Sequence, residues 1–115
     1  MNGRRQKRVG SLIKEELSWL LVEEFQNLFS GLITITRIEM SADLKSAHVY
    51  LSFYGQEKKE EILEVIEKKK GYLRKSIASR VKLKYNPKLI FSIDRTPEYE
   101  ERIEKLMKLV KKNEK

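Results

Sequence analysis

Apolar residues recur at three- and four-residue intervals through the first quarter of the chain: Val9, Leu12, Ile13, Leu17, Leu20, Leu21, Phe25 and Leu28. At 3.6 residues per turn these positions share one stripe, so the spacing predicts an amphipathic helix over 4–28 packed on a core. Glu15, Glu16, Glu23 and Glu24 populate its flanks. Ser30-Gly31 ends it, because glycine tolerates the left-handed backbone that closes helices.

The period then changes. Residues 32–40 are rich in β-branched side chains (Ile33, Thr34, Ile35, Thr36, Ile38), which predicts a strand. Ser41-Ala42-Asp43 supplies turn chemistry through short polar side chains that bond the local backbone. Beyond it, Ala47, Val49, Leu51 and Phe53 alternate with His48, Tyr50, Ser52 and Tyr54, a period of two. The two strands are expected to form an antiparallel hairpin with one face on the core.

Gly55 closes that strand, and a long helical stretch is predicted over 58–79, with Ile62, Val65, Ile66, Leu73 and Ile77 on its buried stripe. Gly71 falls inside it, where glycine costs about 1 kcal/mol relative to alanine. A kink or the close approach of another backbone is the expected use. Lys69 also falls on the stripe, where its alkyl stem would lie on the core while the ammonium reaches solvent. Tyr85-Asn86-Pro87 interrupts the pattern, and Leu89, Phe91 and Ile93 alternate as a third strand. Thr96-Pro97 predicts the start of a last amphipathic helix over 97–112, carrying Tyr99, Ile103, Leu106 and Val110 and ending in Lys111, Lys112 and Lys115. The expected fold is α+β, with helices on one face of a three-stranded sheet in the order α-β-β-α-(kink)-α-β plus a C-terminal helix.

At 115 residues the chain fits one domain, 1–115, with a basic N-terminal segment over 1–8. With 40% apolar residues it has enough to form a core. The absence of cysteine excludes disulfides and thiolate chemistry and agrees with a reducing, cytoplasmic setting. The longest wholly apolar run, Trp19-Leu20-Leu21-Val22, is too short to cross a bilayer, and no apolar segment of a signal peptide follows the basic N-terminus.

The net charge of +8 is segregated. Residues 1–14 carry five bases and no acid, residues 68–88 carry nine bases and no acid, and residues 15–67 hold four bases against eleven acids. A lysine-rich solvated surface, as in heat-adapted proteins, would intersperse the signs. Two acid-free blocks instead favour a polyanion, whose phosphates neutralise them with release of counterions.

Catalytic chemistry has little to stand on. His48 is the only histidine and sits mid-strand without a nucleophile or orienting acid nearby in sequence; the glycines are isolated, so no phosphate-binding loop is present. Acidic pairs such as Glu15-Glu16 lie on helix flanks, and no metal-ligand spacing occurs. The chain is not expected to be an enzyme. Two binding surfaces remain: the basic region, and the outer sheet face, where His48, Tyr50 and Tyr54 present rings for bases but more ordinarily pack across strands. The expected RNA-binding residues are Lys69, Lys70, Gly71, Arg74, Lys75, Arg80, Lys82 and Lys84, with Arg4, Arg5, Lys7 and Arg8 as a second contact.

The chain resembles the ribosome-binding factor A family, bacterial assembly factors of the small ribosomal subunit. The resemblance runs from Arg8-Val9 and Ile13-Lys14-Glu15-Glu16-Leu17 through residues 33–44 and Ala47-His48-Val49-Tyr50-Leu51-Ser52 to Gly71-Tyr72-Leu73-Arg74, Pro87-Lys88-Leu89-Ile90-Phe91 and Asp94. The Ser-x-Asp-Leu turn feeding an Ala-x-Val-Tyr strand, followed by Gly-Tyr-Leu-Arg, is its most specific part. The resemblance implies a type II KH-like fold that lacks the GXXG loop and has an Ala-x-Gly kink between two helices; here Lys69-Lys70-Gly71 keeps the glycine and replaces the alanine. It also implies binding to free small subunits late in maturation, near the decoding region and neck, with release before translation and with no cofactor or catalysis. On this reading the protein is a cytoplasmic monomer whose partner is the small subunit and its ribosomal RNA, with no membrane and no small-molecule substrate. The alternative is a protein-interaction module without direct RNA contact, using the acidic flank or the C-terminal helix.

Overall fold

The computed structural model describes residues 3–25, 32–54, 58–96, 102 and 104–110. Helix α1 spans Gly3–Phe25 and buries Ile13, Leu17, Leu20, Leu21 and Phe25. The arc those side chains define is already wide enough to meet the sheet, and Leu12 falls roughly 80° outside it at the helical period. Leu12 is accordingly 42% exposed, not part of the core stripe as its spacing predicts. The helix docks on the first strand at Gly10, where a Cβ would come 3.5 Å from Met40 Cγ. Close by, Gln6 Nε2 donates a 3.0 Å hydrogen bond to the Met40 carbonyl. Leu28, the Ser30-Gly31 helix end and Gly55 lie outside the described residues.

Strands β1 (Leu32–Met40) and β2 (Ser46–Tyr54) pair antiparallel, as their alternation and the intervening turn predict. Strand β3 (Lys88–Ile93) lies on the far side of β2 and pairs with it in parallel, giving the order β1-β2-β3. A parallel neighbour needs a crossover connection. Helices α2 (Lys59–Lys68) and α3 (Lys70–Arg80) provide it. Ala47, Val49, Leu51, Phe53, Leu89 and Phe91 point from the sheet into the core, where they meet Ile62, Ile66, Leu73 and Ile77 of the two helices. The helix–strand–strand–helix–helix–strand order is that of the type II KH-like fold.

The break between α2 and α3 is at Lys69, not at Gly71. Lys69 takes φ −95° and ψ 7° and donates its N–H back to the Ile66 carbonyl at 3.0 Å, a tightened turn. Gly71 follows in the first turn of α3, in ordinary helical conformation, with no atom within 4 Å of where a Cβ would stand. The expectation of a second backbone approaching Gly71 is therefore incorrect. So is the placement of the Lys69 stem on the core: the turn carries that residue off the stripe, and it is exposed.

The register of β1 and β2 slips between Ile35 and Arg37, a bulge that takes Thr36 out of the Cα register with β2. At the end of β3, Asp94 is buried and its carboxylate accepts from Thr36 and Thr96. Residues 102 and 104–110 are helical, with Leu106 and Val110 exposed. Pro97, Tyr99, Ile103, Lys111, Lys112 and Lys115 of the expected C-terminal helix lie outside the described residues.

Candidate nucleic-acid interface

Three segments meet at one end of the sheet: the first turns of α1, the β1–β2 turn and the loop between α3 and β3. In α1, Arg5, Arg8 and Leu12 recur at three- and four-residue spacing and so share a face. In the loop, Val81 and Leu83 pack against the core while Lys82 and Lys84 are exposed, an extended alternation. The result is a cleft of about 190 Å³ lined by Arg5, Arg8, Leu12, Lys82, Lys84 and Tyr85, among others.

The β1–β2 turn extends this cleft. The Ser41 hydroxyl donates to Asp43 Oδ1 at 2.7 Å, and the Lys45 N–H donates to the same oxygen at 3.0 Å. Those two donors, the hydroxyl first, hold the Asp43 carboxyl below its ordinary range. Leu44 takes a positive φ of 64°, unusual for a residue with a side chain. The reversal at Leu44 is followed by Lys45, whose Nζ stands 5.2 Å from the centre of the Tyr85 ring; Lys84 Nζ is 5.5 Å from it. A second cavity of about 280 Å³ lies here, lined by Arg5, Asp43, Lys45, Lys84 and Tyr85.

The sequence-predicted residues thus divide. Arg5, Arg8, Lys82 and Lys84, from two blocks far apart in the chain, line one cleft. Arg4 and Lys7 are exposed on α1, and Lys69, Gly71 and Lys75 are exposed around the helix break. Lys70 forms a 2.5 Å ion pair with Glu67 and lies 5.9 Å from the Phe91 ring. Arg74 plays a structural part. Its Nε donates to the Pro87 carbonyl and its Nη2 to the Asn86 carbonyl, both at 2.9 Å, which anchors the end of the loop. Arg80 stacks 4.2 Å above Trp19 and reaches Glu16 at 3.9 Å.

Lys45 and Tyr85 are the cleft residues that sequence reasoning missed. Tyr85 carried a signal, as an aromatic inside the acid-free block 68–88. Lys45 carried none, because its place depends on the turn. Two of the rings on the outer sheet face are already engaged: His48 stacks on Tyr50 at 4.2 Å, Arg37 sits 4.0 Å over Tyr50, and His48 Nε2 bonds Ser92 Oγ at 2.7 Å. Cross-strand packing, the ordinary use of such residues, describes them better than base stacking.

The domain is a KH-like α+β binding module whose cations converge on a cleft. No helix among its described residues is long and apolar enough to cross a membrane. The family described as ribosome-binding factor A matches residues 5–107, and the chain belongs to that family. A ribosome-binding factor A from Halothermothrix orenii is 41% identical over 99% of this chain and 94% of its own length. The crystal structure of ribosome-binding factor A from Thermus thermophilus shares the fold, with a TM-score of 0.64 over 79% of this chain and 98% of that one at 24% identity. A homology model of the Thermus thermophilus factor, fitted into a cryo-EM map of its complex with the 30S subunit, is 25% identical, with a TM-score of 0.54 over 72% of this chain and 92% of that one. A factor of this family is a binding protein, not an enzyme.

Proposed function

We propose that the chain binds the free small ribosomal subunit through its ribosomal RNA and assists late maturation of that RNA, as a cytoplasmic monomer. The observation that carries this reading is the convergence of Arg5 and Arg8 with Lys82 and Lys84 on one cleft. Lining a single concavity with like charges is unfavourable in isolation and becomes favourable against a phosphate backbone, with release of counterions. The family, and the relative fitted into a map of a 30S complex, support the choice of partner. Lys69, Lys70, Lys75, Arg80, Arg4 and Lys7 add positive potential outside the cleft; Gly71 leaves the backbone open for close approach; Arg74 contributes through Nη1 and the second N–H of Nη2, its Nε and one Nη2 hydrogen being committed to the loop.

The test is co-sedimentation with isolated small subunits and with joined ribosomes. Retention on free subunits, weak retention on joined ribosomes and a steep loss with salt are expected. Lys82→Glu combined with Lys84→Glu is expected to abolish retention at moderate salt while leaving circular dichroism unchanged. Unaltered retention of that double variant would remove the cleft from the interface.

A further inference from the structure

Tyr85 differs from the other aromatics near the basic surface. Tyr50 is covered by His48 and Arg37 at contact distance, Trp19 carries the Arg80 guanidinium at 4.2 Å, and the Tyr72 hydroxyl is held by Glu24 at 2.9 Å. Tyr85 is exposed like Trp19 and Tyr72, but what faces its ring is a pair of lysine ammoniums at 5.2 and 5.5 Å. Both ammoniums lie over the ring in cation–π range but on flexible stems, so a base that stacks there displaces an ammonium toward its own phosphates. Arg5, Lys84 and Tyr85 line both cavities, so the ring stands where the two adjoin.

We propose that this cleft holds one unpaired RNA base stacked on Tyr85, with the flanking phosphates taken by Arg5, Lys45, Lys82 and Lys84. The inference deepens the RNA-binding reading above and rests on it. The cavity at the ring, about 280 Å³, lies just under the ~300–1,000 Å³ of sites that enclose drug-sized molecules, a size suited to a single flat base. Its charge is also arranged for a nucleotide. Asp43 on the turn side repels phosphate, but both of its bonds go to Oδ1, so Oδ2 can accept from the N–H edge of a base. Arg5 lies on the α1 side and Lys82 and Lys84 on the loop side, while Lys45 stands beside Asp43 on the turn. A duplex, whose bases are stacked within the helix, offers no ring to Tyr85.

The discriminating measurement is fluorescence anisotropy with labelled hexaadenylate and, separately, a GC-rich RNA duplex. Tyr85→Ala is expected to weaken hexaadenylate binding at least fivefold, in line with base–aromatic stacking, and Tyr85→Phe to stay within twofold of the parent. The slope of log affinity against log salt is expected to be unchanged by Tyr85→Ala and reduced by up to about one by Lys84→Ala. Duplex binding is expected to be indifferent to Tyr85→Ala. Equal binding of hexaadenylate by Tyr85→Ala and parent, an equal loss on the duplex, or no measurable hexaadenylate binding by the parent would each overturn the base cleft. If the parent still co-sediments with free small subunits in those cases, the RNA-binding function survives and only the cleft falls. If the parent fails to co-sediment, the function itself is wrong.

Discussion

Thr36 Oγ1 donates a 2.6 Å hydrogen bond to Asp94 Oδ2, joining two strands that are not neighbours in the sheet. The bulge in β1 makes this possible. By taking Thr36 out of the register with β2, it lets the hydroxyl, which also lies 3.3 Å from the Tyr50 carbonyl of β2, reach across the intervening strand. Thr96 completes the arrangement from the other side: its N–H and hydroxyl donate to Asp94 Oδ1 at 3.0 and 2.5 Å. A buried carboxylate is thereby satisfied at both oxygens, and the end of β3 is fastened to β1.

These donors favour the ionised form, so the Asp94 carboxyl is held below its ordinary value, Thr36 being the larger cause and Thr96 the next. A group whose folded pKa is depressed stabilises the fold above its unfolded pKa and loses that contribution as pH falls through the folded one. Asp94→Asn is expected to lower stability by about 1–2 kcal/mol at pH 7. In urea unfolding followed from pH 7 down through the acid range, the gap between parent and variant is expected to narrow below about pH 4. A constant gap across that range would mean that the carboxylate charge plays no part.

Gly71 lies in the first turn of α3 with open space around it. Gly71→Ala is therefore expected to raise the thermal midpoint, with a gain of up to ~1 kcal/mol from reduced freedom of the unfolded chain. Stabilisation with reduced binding to small subunits would show that the open backbone matters to RNA. Destabilisation would contradict the geometry described.

Arg74 places two donors on adjacent carbonyls, Asn86 and Pro87. A lysine cannot reproduce that planar fork. Arg74→Lys is expected to cost about 1–2 kcal/mol in chemical denaturation despite retaining its charge. Stability equal to the parent would show that the loop is held by other contacts.

Lys69 is exposed at the helix break, so Lys69→Ala is expected to change stability by no more than about 0.5 kcal/mol. If its ammonium touches a phosphate, the salt slope of small-subunit binding falls by up to about one. An unchanged slope would exclude Lys69 from the contact.

Periodicity made most of this fold legible. Ile13, Leu17, Leu20 and Leu21, and the alternation from Ala47 to Phe53, marked buried faces because a helix and a strand sort side chains at fixed angles. The break at Lys69 left no such mark. Ile62, Ile66, Leu73 and Ile77 stay in phase across it, so a straight helix and a broken one have the same hydrophobic pattern, and glycine drew attention to the wrong residue. The charge blocks showed which stretches are basic, but not that Arg5 and Arg8 would meet Lys82 and Lys84. Nor did they show that Arg74 would be committed to backbone carbonyls. Those outcomes depend on tertiary packing, which local composition does not encode.

The parallel pairing of β2 and β3 also bears on when the cleft is assembled. Hairpin partners such as Met40 and Ala47 are close in sequence, whereas Ser46 and Lys88 are joined across both crossover helices. Contacts of long sequence separation form late, because loop-closure entropy must be met before they reward it. The cleft draws on α1, the hairpin turn and the stretch just before β3, and the last of these takes its place only when that strand docks. An incompletely folded chain has the same lysines and arginines strung along it but nowhere gathers them around Tyr85. If the cleft is the recognition site proposed above, recognition requires the completed fold, since an unfolded chain carries the charge without the shape.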